Sequence, residues 1–132
     1  MKIVADTNVL LRAIVGDDPA QAQVALDTLA GAEMVAISPQ VLCELVWVLD
    51  RSYGVLRADI ATVVRGLLDT TNVVVDGALV QSGLAMLEAG GDFADGVIAF
   101  SGRMMGGEQF VSFDRKAVRI LAERGEQALL LS

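Results

Sequence analysis

The chain has 132 residues, of which 54% are hydrophobic, so one domain with a real core is expected over residues 1–132. Its formal net charge of -7 argues against the broad basic surface with which most nucleic-acid binders neutralise phosphate. The absence of histidine excludes Ser-His-Asp and Cys-His catalysis and every His-ligated zinc site. Any catalysis therefore depends on carboxylates or lysine.

The first half of the chain alternates apolar runs with capped helical segments. Residues 2–5 predict a buried strand, and an Asp-Pro pair then starts a helix over 19–31 that a glycine ends. Residues 34–37 predict a second strand. A Ser-Pro pair starts an apolar helix over 39–51, and a further helix over 57–69 follows without an intervening strand.

The second half continues the alternation. Residues 72–76 predict the third strand, and a helix then runs from residue 77 to the glycine pair at 90 and 91. Asp92 is a good N-cap for a helix over 93–105. The last predicted elements are a strand, a helix and a short strand over 109–112, 114–124 and 128–131.

Strands that alternate with helices predict an α/β fold with three layers, in which helices cover both faces of a central, mainly parallel sheet of about five strands. In such sheets the binding crevice lies beyond the carboxyl ends of the strands. Asp6 and Asp114 both fall at such ends. Carboxylates from distant parts of the sequence are therefore expected to meet at one edge.

Four acidic side chains interrupt or end apolar segments, namely Asp6, Glu44, Asp95 and Asp114. An unpaired charge among apolar neighbours is costly or has a shifted pKa, so a positive partner is expected. Hard oxygen ligands suit Mg²⁺ or Mn²⁺, and the pattern offers no softer ligand set. The four acids are therefore interpreted as a site for one of these cations.

The two acids of the first half also have simpler interpretations. Asp6 can merely end a strand and start a turn, with Thr7 and Asn8 as helix caps. Glu44 has apolar helical neighbours three and four positions away except for Gln40, so its charge needs a partner. Alternatively, it lies at the border of an apolar stripe and reaches water or an arginine.

The acids of the second half lie near predicted helix starts, where the helix dipole favours carboxylates. Capping explains Asp92 but not Asp95, for which a first-turn position with no further role is the alternative. Asp114 can be an N-cap without chemistry, and Ser112 can cap as well. The joint pattern of four acids compatible with one crevice favours the metal site.

The basic and large apolar residues have simple interpretations. Arg115 and Lys116 are interpreted as part of a solvated helix face. Alternatively, they contact substrate phosphate beside Asp114. The only cysteine, Cys43, allows no internal disulfide, which is typical of a cytoplasmic protein. No apolar run is long enough to cross a membrane. Six large apolar side chains are assigned to core or interface: Leu10, Leu11, Trp47, Phe100, Met104 and Met105.

Four motifs occur in an ordered set, namely DTNVLLR, an apolar helix carrying Glu44, DFADGVIA and FVSFDRKA. Over essentially the whole chain, this set resembles the PIN-domain nucleases and is most similar to the VapC-type toxins of bacterial toxin–antitoxin pairs. The resemblance implies an α/β/α domain whose acidic pocket binds Mg²⁺ or Mn²⁺ and hydrolyses RNA phosphodiesters. It also implies a homodimer that a cognate VapB-type antitoxin inhibits.

The resemblance assigns the family's four acidic positions to Asp6, Glu44, Asp95 and Asp114. It adds Asp92 as an accessory acid and Asn8 as a residue that orders the end of the first strand. Two positions depart from the family pattern: Gly96 stands where alanine is more usual, and Ser112 where threonine is common. Gly96 is expected to loosen the helix that bears Asp95.

Water, rather than the ribose 2′-OH, is the expected nucleophile, which implies a 5′-phosphate product. Two other functions remain open. One is a phosphatase that resembles haloacid-dehalogenase-type enzymes, with Asp6 as covalent nucleophile, although Asn8 stands where those sites usually have a second Asp. The other is a catalytically idle module whose acidic pocket captures an Arg-bearing partner.

Overall fold

Seven helices and five strands follow one another along the chain, and every strand pair is parallel. The α/β class predicted from the alternation is confirmed. The computed structural model describes residues 1–132, and the chain divides into two units, Met1–Asp76 and Gly77–Ser132. None of the seven helices combines the length and apolar character needed to cross a membrane.

The first unit contains three strands and four helices. In chain order these are β1 (Lys2–Val4), α1 (Thr7–Val15), α2 (Pro19–Gly31), β2 (Met34–Ala36), α3 (Pro39–Arg51), α4 (Arg57–Asp69) and β3 (Val73–Val74). The sheet order is β1-β2-β3. Val35 on the central strand pairs with Ile3 on one side and Val73 on the other, and it is buried.

Local capping explains where the predicted helices of this unit begin. The Asp18 side chain accepts a hydrogen bond from the Gln21 amide at 3.1 Å, and the Ser38 hydroxyl accepts one from the Val41 amide at 3.3 Å. The prolines that follow both caps sit at the first helical position, as predicted. Helix α1 is an additional element that the sequence patterns do not predict. It ends at Gly16, which has a φ of 69° that glycine adopts without strain.

The core of the first unit is formed mainly by one stripe from each helix. Helix α3 contributes the largest share, because four of its residues are buried: Leu42, Leu45, Val46 and Leu49. Helix α4 adds three more: Ile60, Ala61 and Val64. Helix α1 adds Leu10 and Leu11, which confirms their assignment to the core.

The second unit contains three helices and two strands. They are α5 (Gly77–Glu88), α6 (Phe93–Met104), β4 (Phe110–Ser112), α7 (Arg115–Glu123) and β5 (Ala128–Leu130). The backbone hydrogen bonds therefore form a three-stranded and a two-stranded sheet, rather than the single sheet of about five strands that was predicted. All five strands are only two or three residues long, because helix caps and turns occupy the ends of the apolar runs.

Helices α5 and α6 approach each other closely because two glycines face the contact. A Cβ atom on Gly83 would lie 2.6 Å from Cε2 of Phe93, which is fully buried. A Cβ atom on Gly96 would collide with the Ser82 carbonyl oxygen and lie 2.9 Å from the Gly83 Cα. The expectation that Gly96 loosens its helix is therefore wrong, since its missing side chain is what allows α6 to pack on the α5 backbone.

Substituting Gly96→Ala should lower the free energy of unfolding by about 1–3 kcal/mol, because the added methyl group meets backbone atoms that cannot move aside. Gly102→Ala is the matched control in the same helix, because its Cβ would meet nothing within 4 Å. The control should raise stability by up to about 1 kcal/mol through helix propensity. Urea unfolding of both variants measures the difference, and equal effects would contradict the packing argument.

Candidate active site

Asp6 lies just beyond the carboxyl end of β1 and is the N-cap of α1. Its Oδ1 accepts a hydrogen bond from the Thr7 amide at 2.8 Å, so Asp6 itself has the capping role that was considered for Thr7 and Asn8. The Asp6 and Asn8 side chains are exposed, whereas Thr7 is buried. The strand end therefore presents a fixed carboxylate to solvent, with one oxygen already hydrogen bonded.

Glu44 lies in the second turn of α3 and is exposed. It forms no hydrogen bond or ion pair. The prediction that it sits within an apolar stripe is wrong, because the buried stripe occupies the opposite side of the helix. Of the apolar neighbours that suggested the stripe, Val41 and Val48 are only partly buried and Trp47 is 58% exposed. Water therefore compensates the charge of Glu44 without any partner.

The three acids of the second unit occupy the starts of two helices. Asp92 is at the N-cap position of α6 and is exposed, but its side chain makes no capping hydrogen bond. Asp95 lies in the first turn of α6 and is half-buried. Asp114 caps α7 by accepting from the Ala117 amide at 3.1 Å, and its own amide donates to the Ser112 hydroxyl at 2.9 Å.

Among the acids of the candidate site, Asp95 is the one whose ionised form the folded structure disfavours. Burial raises the pKa of Asp95, and the negative charges of Asp92 and Asp114 raise it further. No arginine or lysine pairs with Asp95. The costly burial that was expected for all four principal acids is therefore found only at Asp95, because Asp6, Glu44 and Asp114 are exposed.

A divalent cation fits this donor set. The two neighbouring carboxylates disfavour the charge of Asp95, and a nearby cation would reverse that effect. The structure contains no group of three or more acidic, cysteine or histidine side chains arranged to hold an ion. Mg²⁺ commonly needs only one or two carboxylates, because it keeps several of its waters. The residues present are therefore suited to Mg²⁺ or Mn²⁺ bound through few protein ligands.

Two basic side chains follow Asp114 directly. Arg115 and Lys116 are exposed in the first turn of α7 and form no ion pair. Cations gain nothing from the positive end of a helix dipole, so helix stability does not explain their position. By contrast, the Arg119 Nε lies 3.9 Å from the Glu123 Oε1 within the same helix, as expected of a solvated face. Arg115 and Lys116 are available to an anionic ligand near Asp114.

Three of the large apolar side chains assigned to core or interface lie outside the core. The Trp47 indole is 58% exposed on the same side of α3 as Glu44. Met104 and Met105 are 72% and 87% exposed, because they lie at the end of α6 rather than on its buried face. A helical projection centred on Leu42, Leu45 and Leu49 is the sequence signal that could have placed Trp47 outside.

A model of the PIN domain family matches residues 3–122, a range that contains Asp6, Glu44, Asp92, Asp95 and Asp114. Comparison with curated proteins finds no match.

Asp95→Asn should make the metal-free protein more stable at pH 7. A raised native pKa means that ionised Asp95 destabilises the fold, so the stability gained by protonation is lost as pH rises through that pKa. The gain should stay below about 1 kcal/mol, because solvent screens a partly exposed group. It should vanish as pH falls below the ordinary aspartate value of 3.8, where both proteins are neutral at this position.

Thermal unfolding in EDTA across this pH range measures the effect. Glu108→Gln is the control, since it removes one negative charge from an exposed position of the same unit. If the Asp95→Asn variant were less stable than the parent at pH 7, the assigned electrostatics would be contradicted.

Proposed function

Because the chain belongs to the PIN domain family, whose members are generally metal-dependent nucleases, we propose that it is a Mg²⁺- or Mn²⁺-dependent endoribonuclease. The observation that carries this proposal is the half-buried Asp95, whose pKa is raised by burial and by two neighbouring carboxylates. Such a group has a natural role when a cation is bound beside it. The net charge of -7 does not conflict with this role, since the cation offsets part of the acidic cluster.

In this proposal, the cation binds at Asp95 through only one or two of the carboxylates of Asp92, Asp95 and Asp114, and keeps several of its waters. When bound, a divalent cation makes water a competent nucleophile near neutral pH and offsets the charge of the phosphate. The chain's own contribution is to fix the carboxylates. The α7 backbone orients Asp114 through the Ala117 amide, and the Ser112 hydroxyl holds the turn before it.

Asp6 and Glu44 are assigned to the same reaction by the sequence motifs. Two features of the first unit support the assignment. Only one oxygen of Asp6 is hydrogen bonded, and Glu44 has no polar partner, so both carboxylates can accept a ligand. Asn8 is exposed in the first turn of α1, where it can assist Asp6. Arg115 and Lys116 are proposed to contact substrate phosphate.

The sequence motifs extend the proposal to a biological role. We infer a VapC-type toxin that acts as a homodimer in the cytoplasm and is inhibited by a VapB-type antitoxin. The support is the ordered set of motifs over essentially the whole chain. A small gene for a DNA-binding protein beside this one would add to that support.

The purified protein, freed of any antitoxin, should cut total RNA with Mg²⁺ or Mn²⁺ and lose this activity in EDTA. Asp95→Asn should reduce cleavage by more than about 100-fold, because loss of even an outer-shell partner of a metal costs roughly 10- to 100-fold. Glu108→Gln should cut normally. The 5′ ends of the fragments should carry phosphate, whereas 2′,3′-cyclic phosphate ends would contradict attack by water.

Expression in cells should inhibit growth, and Asp6→Asn or Glu44→Gln should abolish the inhibition, since both acids are assigned to catalysis. Growth curves with matched protein levels measure this. Glu108→Gln should remain inhibitory. Inhibition that persists in the Asp6 and Glu44 variants would instead support the idle interaction module.

A further inference from the structure

One face of α3 carries a row of exposed side chains that the proposed chemistry uses only in part. Gln40, Glu44, Trp47 and Arg51 follow one another at intervals of four, three and four residues, which is the spacing of a single helix face. All four are exposed. Trp47 is three residues from Glu44, or about 4.5 Å along the helix axis. The indole therefore lies within one turn of a proposed catalytic carboxylate.

The surroundings of Trp47 favour a flat, partly polar ligand over an apolar protein surface. The indole is 58% exposed, but its neighbours along the row are Glu44 and Arg51. Val48, beside it, is half-buried in the unit. Protein docking sites are usually contiguous apolar patches, whereas a single aromatic ring among polar groups matches a platform for nucleobase stacking.

The net charge of the chain also favours a nucleobase as the ligand of Trp47. With a net charge of -7, the protein cannot rely on a broad cationic surface to hold RNA. Stacking on an aromatic ring does not depend on net charge and contributes about 1–3 kcal/mol per base. Arg51 interacts only with the adjacent, exposed Asp50 at 3.5 Å, and such surface pairs are weak. Arg51 can therefore meet a phosphate beside the stacked base.

We propose that Trp47 stacks on an unpaired base of the RNA substrate and thereby positions the strand along α3 next to Glu44. The proposal rests on the ribonuclease function proposed above and deepens it, by naming how single-stranded RNA is held. Trp47 is a positioning residue in this scheme. Its contact with the base is the same in the bound substrate and in the transition state. Loss of the indole should therefore raise KM while kcat changes little.

The fluorescence of Trp47 provides the first test, because it is the only tryptophan of the chain. Short oligo(A) and oligo(U), added with Mg²⁺ to the Asp95→Asn protein so that the RNA stays intact, should quench the emission. An abasic oligomer with the same number of phosphates should leave the emission unchanged and bind roughly 5- to 150-fold more weakly, which is the stacking energy expressed as affinity.

Steady-state cleavage by proteins with an intact Asp95 provides the second test. Trp47→Ala should raise KM roughly 5- to 150-fold, the same range as for the abasic oligomer, with kcat near the parent value. Trp47→Phe should restore most of the lost affinity. Leu56→Ala is the matched control, since it removes a 71% exposed apolar side chain of the same unit that does not belong to the α3 row. Circular dichroism should show that all variants are folded, because neither side chain is part of the core.

The outcomes separate this proposal from the function on which it rests. Normal cleavage by Trp47→Ala with no quenching by any RNA would overturn the stacking and leave the nuclease intact. Base-dependent quenching without any metal-dependent cleavage would support stacking and overturn the nuclease. If Trp47→Ala changes the sedimentation of the protein and leaves KM unchanged, the indole belongs to a protein contact and the stacking proposal fails.

Discussion

The close approach of α5 and α6 is the constraint on which the acidic cluster of the second unit depends. Gly96 lacks a side chain where the first turn of α6 meets the α5 backbone, and Phe93 fills the space against Gly83. Asp95 lies between Phe93 and Gly96 in the sequence, so packing fixes its backbone position together with the hydrogen bond that its amide donates to the Asp92 carbonyl oxygen at 3.0 Å. Its partial burial follows from that packing, and burial raises the pKa of Asp95, as do the charges of Asp92 and Asp114.

The acids differ in how the fold already compensates their charge. Asp6 and Asp114 each accept a backbone amide hydrogen bond at the start of a helix, where the dipole also favours a negative charge. Glu44 is compensated by water. Asp95 has the helix dipole in its favour but no hydrogen-bond donor and two like charges nearby. A cation therefore changes the energetics of Asp95 most, while the other carboxylates persist without it.

Sequence patterns predict helix caps and strand positions well, because these depend on neighbouring residues. They do not predict contacts between elements that are distant in the sequence. The caps at Asp18 and Ser38 were recognised because capping depends on a few adjacent residues. The five strand positions were found, although each strand is shorter than its apolar run. The role of Gly96 is not predictable from its neighbours in the sequence, because it arises from a contact between two helices. The exposure of Glu44 differs in this respect, because a helical projection centred on Leu42, Leu45 and Leu49 already indicates that Glu44 lies outside the buried stripe of α3.

A protein with a negative net charge can bind RNA only through local contacts that do not depend on that net charge. In the proposed function, a cation beside Asp95 would act over a short range, and so would Arg115 and Lys116, whose charges no acidic residue pairs with. Stacking on Trp47 requires a base face that is not covered by a neighbouring base pair, which a regular duplex does not offer. The features proposed to bind RNA in spite of a charge of -7 would therefore direct the protein to unpaired segments of RNA. Under this proposal, the acidic net charge would contribute to selectivity, because it would weaken every RNA contact that lacks the cation and an exposed base.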